Sequence, residues 1–488
     1  MAAIITENFR QHNAEQFFES FSEAAASTYY LFIGKSSPFT NSTSGGDDNS
    51  PPVPKDDVTT EFYKWDSMLA AKLISSSDVS YVIPRRNWTN NTVYDMYEHD
   101  ISSSNTTTSG ASNLYDGTFY FMTSEYKVYK VLDNNGGTAY SGSEPTGTDT
   151  FPVEIGGYTI QYMYSITTSE IQKFLTSDFI SVSTDTDVSN QAVDGSVDTV
   201  RVTAGSGYTD GTYYAAIDGD GTGGVVEILV SGGSIVKQGS AGTNVTTTGS
   251  GYTFGNVDLT DVYTTSALTV SDNIGSGTGG AVVPIISPKG GHGKDAVAEL
   301  GGHYVMMNSK LEQAEGDDVT VANDFREVGI IKDPYNFGTT TISSASTRRQ
   351  SLAIKMASAP SVAFEIDEKV TQSTTGAVGR VVEWDATNNI LYILQERFAD
   401  YGIAASGNQV AFSGANTITG ATSGAAAIPS ATASETVTLA GGTVLTFTSG
   451  YNNPELEPNS GKILYIENRR PISRASDQTE DIKIVVEF

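Results

Sequence analysis

Alternating hydrophobic and polar positions near the C-terminal end of the chain predict a pair of β-strands. Ile463–Glu467 and Ile482–Phe488 concentrate β-branched and aromatic residues in the manner of half-buried strands. Chain ends fray unless a sheet holds them, so a strand that reaches Phe488 predicts a terminus held inside a sheet. The charged stretch between the two strands, ENRRPISRASDQTED, is predicted to be a structural link rather than a binding site.

The N-terminal part of the chain predicts two helices around one buried strand. Helical spacing places Phe9 and Phe17 near one face of residues 6–21. The continuous apolar run Tyr29–Ile33 predicts a buried strand. Residues 59–74 then repeat apolar side chains every three or four positions, which predicts a second helix with a core-facing stripe.

A proline-arginine segment follows, with the sequence YVIPRRNW at Tyr81–Trp88. Pro84 lacks an amide donor and holds its neighbour extended, so the segment is predicted to end a strand at a sheet edge. Arg85 and Arg86 could bind phosphate, but an acidic chain offers many carboxylates as bidentate partners. We therefore expect these arginines, and also Arg469 and Arg470 of the charged C-terminal stretch, to form buried or interfacial ion pairs.

Further apolar runs predict more strands and one short helix. Thr118–Phe121, Tyr126–Leu132 and Tyr158–Ile166 are rich in strand-forming residues, and Asp133–Gly137 has the composition of a turn. Ser169–Leu175 predicts a short helix that Ser169 caps through its hydroxyl.

The composition then changes, and a glycine-rich, repetitive segment begins. GSGYT occurs at Gly205–Thr209 and again at Gly249–Thr253, and GDGTGG at 219–224 is echoed by GSGTGG at 275–280. Self-similarity of this kind indicates a small duplicated β-unit. Residues 198–288 are therefore predicted to be an insertion with a core of its own.

A second insertion is predicted at 355–450. Its first part alternates apolar and polar residues around a hairpin turn at Thr387–Asn389, which predicts a small barrel of about five strands. The remaining segments, 1–197, 289–354 and 451–488, are predicted to form one body that the insertions interrupt.

Charge and composition restrict the partners that the chain can take. Acidic residues outnumber basic ones 57 to 28, which leaves a formal charge of −29. Nucleic-acid binders concentrate Lys and Arg because phosphate neutralisation supplies much of their affinity, so nucleic acid is an unfavourable partner. No stretch approaches the ~18 apolar residues of a membrane-spanning helix, and the first residues lack the basic-then-apolar order of a signal peptide. We expect a water-soluble protein with neither a membrane nor a nucleic-acid partner.

The available chemistry is limited because the chain has no cysteine and only four histidines. Disulfides, thiolate zinc sites and a cysteine nucleophile are excluded, and no HExxH or GxSxG motif occurs. His292, Asp295, Glu299 and His303 could ligate a metal, but two glycines before the last of them interrupt any helix that would align them. We therefore predict a glycine-rich loop that enters a packed body, with no catalytic, cofactor or metal site.

The sequence DGDGTGG at Asp218–Gly224 has the clustered carboxylates that hard cations prefer. No glutamate arrives at the twelfth position of an EF-hand pattern, and the echo of this sequence at 275–280 lacks both aspartates. We therefore predict a structural turn. Paired carboxylates for glycoside cleavage stay open as an alternative, since their pairing is spatial.

Several of these segments resemble one known family. VIPRRNW, IENRRPI and DQTEDIKIVVEF are similar to segments of the baseplate wedge protein of T-even-type contractile-tailed phages, gene product eight. TENFRQHNAEQFFESF, YLFIGKSSPF, EFYKWDSMLAAKLISSSDVSYVIPRR and FREVGIIKDP resemble the same family. The similar segments recur in the family's order, within 1–185, about 296–338 and 460–488. The two insertions depart from that pattern and resemble the glycine-rich and small-barrel modules of cyanobacterial myovirus structural proteins.

The resemblance implies a mainly β fold, with a layered antiparallel β-sandwich body, a few helices in its end loops and two inserted small β modules. It implies a structural virion subunit of the tail baseplate, assembled in the host cytoplasm, that forms a homodimer and binds other wedge subunits without catalysis. The structural and interface candidates that we take from the arginine-rich segments and the stretch after them are Pro84, Arg85, Arg86, Trp88, Glu467, Asn468, Arg469, Arg470 and Asp477.

A different class of function stays open, namely a glycan-binding or glycan-cleaving protein of the tail-fibre type. The chain is predicted to be rich in strands, and its 25 tyrosines could stack on sugar rings. Tryptophan is scarce, with Trp65, Trp88 and Trp384 only, which favours the wedge interpretation.

Overall fold

The computed structural model describes residues 4–23, 27–39, 46–238, 241–397, 409–475 and 477–488. Strands account for 40% of the described residues and helices for 10%, and the strand pairs of the named sheets are antiparallel. The predicted mainly β fold with a few helices is therefore confirmed, and the layered sandwich stays a prediction. No helix in the described ranges is both long and apolar enough to span a membrane.

The helices and strands are numbered here in chain order. In the described ranges the helices are α1 Glu7–Glu19, α2 Thr60–Ser67, α3 Thr168–Phe174, α4 Thr186–Gln191 and α5 Ala296–Glu299. The strands before the glycine-rich segment are β1 Tyr29–Gly34, β2 Met68–Ile74, β3 Val79–Pro84, β4 Tyr120–Met122, β5 Lys127–Asp133, β6 Val153–Ile155, β7 Tyr158–Ser165 and β8 Phe179–Ser181. The glycine-rich segment contributes β9 Val197–Ser206, β10 Gly211–Ala216, β11 Asp218–Gly219, β12 Thr222–Ser231, β13 Ser234–Ile235, β14 Asn244–Ser250, β15 Gly255–Asn256, β16 Val262–Tyr263, β17 Ser271–Asp272 and β18 Thr278–Ile286.

The remaining strands follow the glycine-rich segment. They are β19 Tyr304–Glu312, β20 Phe325–Lys332, β21 Thr347–Arg349, β22 Leu352–Lys355, β23 Lys369–Gln372, β24 Val378–Asp385, β25 Ile390–Leu394, β26 Ile418–Gly420, β27 Ala426–Ala427, β28 Glu435–Thr438, β29 Val444–Phe447, β30 Tyr451–Asn452, β31 Lys462–Ile472 and β32 Thr479–Glu487.

The helix predicted over residues 59–74 is only half correct. Helix α2 ends at Ser67, and the chain continues directly as strand β2. This strand is fixed by its partner, because β1 pairs with it along its whole length. A spacing of three and four residues between apolar positions fits a helix, but pairing within the sheet prevails over that local preference.

The cap of helix α3 also differs from the prediction. Thr167, not Ser169, lies at the cap position, and its Oγ1 accepts a hydrogen bond from the Glu170 backbone N–H. The Glu170 carboxylate accepts from the Thr167 N–H in return, at 2.8 Å. The two residues form a capping box, which satisfies two donors at the start of the helix.

Strand β31 is longer than predicted and takes in part of the charged stretch. The strand continues past Glu467, its predicted end, to Ile472, so the prediction that Asn468–Arg470 belong to a link is wrong. They pair with β20, where Glu467 lies opposite Val328. Pro471 is tolerated near the end of the strand because β31 lies at the edge of its sheet.

The chain divides into two compact units. The first unit contains Met1–Phe18, Ser80–Met306 and Val485–Phe488, and the second unit contains Glu19–Val79 and Met307–Ile484. The domain boundaries drawn from composition stay a prediction.

An aromatic core fills the first unit around the four-stranded sheet β4-β5-β7-β6. The ring of Tyr129 lies 5.8 Å from that of Phe121 and 5.8 Å from that of Tyr162, measured between centroids. Buried tyrosine hydroxyls need a partner, and Tyr164 donates to the Ser181 carbonyl at 2.9 Å. The fully buried tyrosines of this unit are Tyr120, Tyr129, Tyr140, Tyr158 and Tyr164.

Helix α1 packs on the first unit through its C-terminal turn. Phe17 contacts Phe488 with ring centroids 5.4 Å apart, and Phe18 stacks on Tyr81 at 4.5 Å. Phe9, predicted to share the buried face, is 55% exposed instead. The helix therefore packs through Ala14, which is fully buried, and through its last turn, while Phe9 at its start is exposed.

The two glycine-rich repeats of the first unit interlock. Tyr208, from the first GSGYT, accepts a hydrogen bond from the backbone N–H of Gly280 in the second glycine loop, at 3.0 Å. Tyr252, from the second GSGYT, accepts one from Gly224 in the first glycine loop, at 3.1 Å. Strand pairing follows the same exchange, because β9 pairs with β18 and β14 pairs with β12. The duplicated sequence thus folds as two copies, each of which closes on the other.

Glycine is required where each tyrosine ring crosses a loop. A Cβ atom on Gly277 would overlap the ring of Tyr208, and one on Gly221 would overlap the ring of Tyr252. Both rings belong to a hydrophobic cluster drawn wholly from residues 197–286. The third position of the repeated sequence GxGTGG is therefore glycine because a tyrosine ring packs against it.

The second unit contains two main sheets. One has the strand order β21-β2-β1-β20-β31, and the other has the order β27-β26-β23-β24-β25-β22-β30. The turn predicted at Thr387–Asn389 joins β24 to β25, with Asn389 in the left-handed region at φ 53°. The second sheet has seven strands in the described residues, where the sequence predicted a barrel of about five.

Candidate interaction sites

The segment Pro84–Trp88 leaves the end of strand β3 in the first unit. The Pro84 carbonyl accepts a hydrogen bond from the Tyr120 hydroxyl at 2.6 Å. Arg85 donates from Nε to the Asn87 side-chain oxygen at 2.9 Å and from Nη1 to the Thr176 carbonyl at 2.8 Å. Both partners of Arg85 are neutral, so its charge is not compensated by a carboxylate among these contacts.

Arg86 and Trp88 are half-buried against the aromatic core. The Arg86 guanidinium lies 4.3 Å from the ring centroid of Tyr120, and its Nη2 donates to the Tyr115 carbonyl at 2.8 Å. The Trp88 ring meets Tyr140 edge-on at 5.9 Å. Arg86 Nη1 and Trp88 Nε1 are buried donors without a hydrogen-bond partner.

The expectation of intramolecular ion pairs is therefore wrong for Arg85 and Arg86 within the described residues. Carbonyl and amide oxygens of the turns packed against the strand end are closer than any carboxylate, and they take the donors instead. Ion pairing of these arginines with another subunit stays a prediction.

The second arginine pair lies on strand β31 in the second unit. Arg469 donates from Nε to Glu467 at 2.8 Å, and the Tyr465 hydroxyl donates to the other carboxylate oxygen at 2.7 Å. Both charged side chains are about one third exposed. An ion pair is present, but it is partly exposed rather than buried as expected, and water screens it, so its contribution to stability is small.

Asn468 and Arg470 hold a neighbouring loop against the edge of the same strand. The Asn468 side-chain amide donates to the Pro52 carbonyl at 2.8 Å, and Arg470 Nε donates to the Asn49 carbonyl at 3.1 Å. Asp477 is exposed. The candidates on β31 thus order a loop locally, and any contact that they make with another subunit stays a prediction.

Comparison with known families matches one part of the chain. Residues 3–139 match the model of the family Phage-Gp8, described as Bacteriophage T4, Gp8. The match supports the baseplate wedge family. The resemblance noted in the sequence is therefore confirmed over residues 3–139, and beyond them it stays a prediction. No curated protein matches the chain.

The Gp8 match covers the elements from α1 to β5 and ends before the glycine-rich repeats. It includes Pro84, Arg85, Arg86 and Trp88, whereas the candidates on β31 lie outside it. A structural role in a phage tail is supported by this match.

A cluster of buried ionisable groups, which the sequence did not predict, begins in the Gp8-matching region. Lys130 of β5 donates to Glu299 Oε2 at 2.7 Å, and its Nζ lies 3.0 Å from His292 Nδ1. The Tyr97 ring covers the same amine, with its centroid 4.1 Å away, and His292 Nε2 lies 3.8 Å from Asp198. We call these five residues the Lys130 cluster.

Burial sets the protonation of the Lys130 cluster. It lowers the pKa of Lys130, and the Glu299 carboxylate acts in the opposite direction. Burial, helped by the nearby Lys130, holds the pKa of His292 well below its ordinary value. The imidazole is therefore neutral, and Nδ1 can accept a hydrogen bond from the Lys130 amine. Burial also raises the pKa of Asp198, which accepts from the Ser196 hydroxyl at 2.7 Å.

The residues weighed as metal ligands have other partners. His292 and Glu299 meet at Lys130, whereas Asp295 accepts from the Ala298 N–H at 3.1 Å and caps helix α5. His303 contacts the Glu7 carboxylate. Within the described residues, no three His, Asp or Glu side chains have an arrangement that could hold a metal ion.

The aspartate-rich turn is likewise closed by its own chain. Asp220 accepts from the Thr253 N–H at 2.8 Å, from the Thr253 hydroxyl and from the Phe254 N–H. These hydrogen bonds, that of the Thr253 hydroxyl first, lower the pKa of Asp220 to about 2. The carboxylate joins the two repeats, in agreement with the predicted structural turn.

Proposed function

We propose that this protein is a structural component of the phage tail baseplate wedge, which acts by binding other wedge subunits and has no catalytic activity. The observation that carries the proposal is the match of residues 3–139 to the Gp8 family. In this proposal the chain forms a homodimer, is assembled in the host cytoplasm and resides in the virion, at the tail baseplate.

The burial of many tyrosine rings favours this function over sugar binding. Rings that stack on sugars must be exposed, but six of the largest fully buried side chains are tyrosines. They are Tyr30, Tyr120, Tyr129, Tyr140, Tyr158 and Tyr164. The abundance of tyrosine is thus largely explained by core packing.

Assembly can be tested with the purified full-length chain. Sedimentation velocity is expected to give a mass near twice the 51.7 kDa of one chain. Mixing with the other wedge subunits of the same phage is expected to give a faster-sedimenting complex. A monomer that stays separate from those subunits would contradict the proposal, as would depolymerisation of a host polysaccharide by the chain alone.

A further inference from the structure

The loop between strand β18 and helix α5 contributes one member of the Lys130 cluster. His292 stands in this loop with a glycine on each side, in the sequence GGHGK. Lys289 and Lys294 of the loop are exposed, whereas the side chain of His292 is only 5% exposed. Connecting segments normally run over the surface, so a buried histidine in the middle of one needs an explanation. We call residues 288–294 the histidine loop.

The imidazole of His292 is held by two members of the cluster. Its Nδ1 lies 3.0 Å from the Lys130 amine, and its ring meets the Tyr97 ring edge-on, with the centroids 5.0 Å apart. Lys130 is fully buried, so the amine and the imidazole meet away from bulk water. A lysine amine that bears a proton donates hydrogen bonds, so this contact requires a neutral imidazole whose Nδ1 accepts.

A proton on the imidazole destroys this contact. It turns Nδ1 into a donor that faces another donor, and it places two cations 3.0 Å apart where water screens them poorly. Burial, together with Lys130, holds the pKa of the docked His292 well below its ordinary value. An imidazole in water takes up its proton near pH of about 6.5. The open loop therefore binds a proton more readily than the docked loop.

Glycine on both sides of His292 allows the loop to change its path. Gly291 and Gly293 have φ angles of 100° and 83°, in the left-handed region. A Cβ atom on Gly291 would overlap the backbone of Val193, and one on Gly293 would overlap the side chain of Val188. Glycine is thus required by the docked path, and the same residue type adopts other backbone conformations with little penalty.

Two further hydrogen bonds hold the histidine loop from outside, and both are exposed. The Gly290 N–H donates to the Asp194 carboxylate at 2.6 Å, and the Ser189 hydroxyl donates to the Lys294 carbonyl at 2.9 Å. Exposed hydrogen bonds are readily exchanged for hydrogen bonds to water, so their net contribution is small. Docking of the loop therefore depends strongly on the buried His292.

We propose that the histidine loop is an acid-sensitive latch, which is docked through His292 at neutral pH and opens when His292 takes up a proton. The open loop admits water to Lys130 and Glu299, and it loosens the connection between the glycine-rich segment and helix α5. The latch is a property of the chain itself and is independent of the proposed function.

The other titratable groups that face His292 come from each element packed against it. Tyr97 stays neutral because burial raises its pKa. Lys130 of β5 is paired with Glu299 of α5 at 2.7 Å and supplies the cation that repels an imidazolium. Asp198 of β9 acts in the opposite direction, because burial raises its pKa and its uptake of a proton favours the docked state as the pH falls. At 3.8 Å from Nε2, Asp198 is too distant for a hydrogen bond that would retain an imidazolium.

The test is hydrogen–deuterium exchange of the full-length chain, read by mass spectrometry at about pH 7.5 and about pH 5 and corrected for the intrinsic effect of pH on exchange. Peptides from 288–294 are expected to lose protection about tenfold for each pH unit below about 6.5, because opening takes up one proton. Peptides from strand β5 are expected to keep their protection over the same range.

Three variants locate the sensor. His292→Asn places an amide oxygen near the position of Nδ1 and cannot take up a proton, so its loop is expected to be equally protected at both pH values. Asp198→Asn cannot take up the opposing proton and is expected to open at least as steeply as the natural chain. His12→Asn, at an exposed position of helix α1 in the same unit, is the control and should keep the pH response.

The natural chain alone can overturn the proposal, if its loop is equally protected at both pH values. The proposal also fails if strand β5 loses protection in parallel with the loop, because acid then acts on the unit as a whole. A pH response that persists in His292→Asn, or that disappears in Asp198→Asn, would assign the sensor to another group and would likewise overturn it.

Discussion

The Lys130 cluster is buried, whereas the acidic cavity, a cavity of about 400 Å³ in the second unit, is lined by the partly exposed carboxylates of Asp317, Asp318, Glu383 and Asp385. In the cluster, the buried amine has a carboxylate, an imidazole nitrogen and an aromatic face, all from its own chain. In the cavity, the hydrogen-bond partners of the four carboxylates among the described residues are neutral groups.

The difference lies in whether the fold itself supplies a counter-charge. A buried charge is tolerated when its counter-charge and hydrogen bonds are supplied within the fold. Charges that lack a counter-charge lower the stability of the folded protein. The four predictions below test that contrast, beginning with the largest expected effect.

Removing the amine from the Lys130 cluster should have the largest effect. Lys130→Met leaves Glu299 buried without its counter-charge, so we expect the free energy of unfolding to fall by about 3–5 kcal/mol. Urea unfolding followed by circular dichroism measures this loss. Lys127→Met, on the same strand, is the control, because its partner Glu125 is 59% exposed and the pair contributes less than about 1 kcal/mol.

A double variant sharpens the same prediction. Lys130→Met with Glu299→Leu removes both charges and is expected to recover much of the lost stability, since apolar replacement of a buried pair is often neutral. Equal losses for Lys127→Met and Lys130→Met would show that the cluster is no more than a surface ion pair.

Removing a charge from the acidic cavity should raise the stability of the protein instead of lowering it. Burial first, and the nearby Glu455 second, raise the pKa of Asp318 to about 6, so the folded chain holds a proton more tightly than the unfolded chain. The stability from that proton is complete at low pH and is lost as the pH rises through about 6. The Asp318→Asn variant has no proton to lose at this position, so it keeps this stability at high pH. Its amide oxygen can still accept a hydrogen bond from the Thr347 hydroxyl.

We therefore expect Asp318→Asn to be more stable than the natural chain by about 2–3 kcal/mol at pH 8. The difference should shrink to nearly zero at pH 4. Melting temperatures of both proteins across this range measure it. A variant that is less stable than the natural chain at pH 8 would mean that the carboxylate is compensated, and the contrast with the Lys130 cluster would fail.

Arg86 lies between these extremes, since its guanidinium is half-buried and has neutral partners. Arg86→Ala loses the hydrogen bond to the Tyr115 carbonyl and the contact with the Tyr120 ring, which together amount to about 1–2 kcal/mol. Melting temperature measures this effect, and assembly with wedge subunits is scored in parallel. Arg86→Lys keeps the charge without the planar fork and should recover only part of the loss. If Arg86→Ala changes neither the melting temperature nor the assembly with wedge subunits, the residue has no role in either.

The exposed pair on strand β31 should matter least. Arg469→Ala is expected to lower the free energy of unfolding by less than about 1 kcal/mol, because Glu467 and Arg469 are each about one third exposed. Raising the salt concentration should remove most of the difference. A loss comparable to that of Lys130→Met would refute the distinction between screened and buried pairs.

Local sequence predicted the strands whose own residues decide their structure. The run Tyr29–Ile33 is apolar throughout, and strand β1 differs from it by a single residue. Residues 59–74 show the limit of this reasoning, because their apolar spacing fits a helix while the partner strand decides the outcome after Ser67. The prediction of a link at Asn468–Arg470 fails for the same reason, since their polar and charged side chains conceal the continuation of an edge strand paired with β20.

The candidate sites were harder to predict because their members meet only in three dimensions. Lys130 and Glu299 are 169 residues apart in sequence, and the one local signal was a lysine within the otherwise apolar run from Val128 to Leu132. The carboxylates of the acidic cavity come from two separate segments of an acidic chain, so nothing distinguishes them from the other acidic residues. Arginine pairs were prominent in the sequence, but proximity to carbonyl oxygens decided the contacts of Arg85 and Arg86.

The exchanged tyrosines of the glycine-rich repeats have a consequence for how this segment can be divided. Because Tyr208 closes the loop that contains Gly280, and Tyr252 closes the loop that contains Gly224, neither copy holds a complete core. The reciprocal contacts of the two copies are those of a symmetric dimer whose protomers are joined in one polypeptide. A single copy expressed alone would have to dimerise to regain the tyrosine that closes its glycine loop.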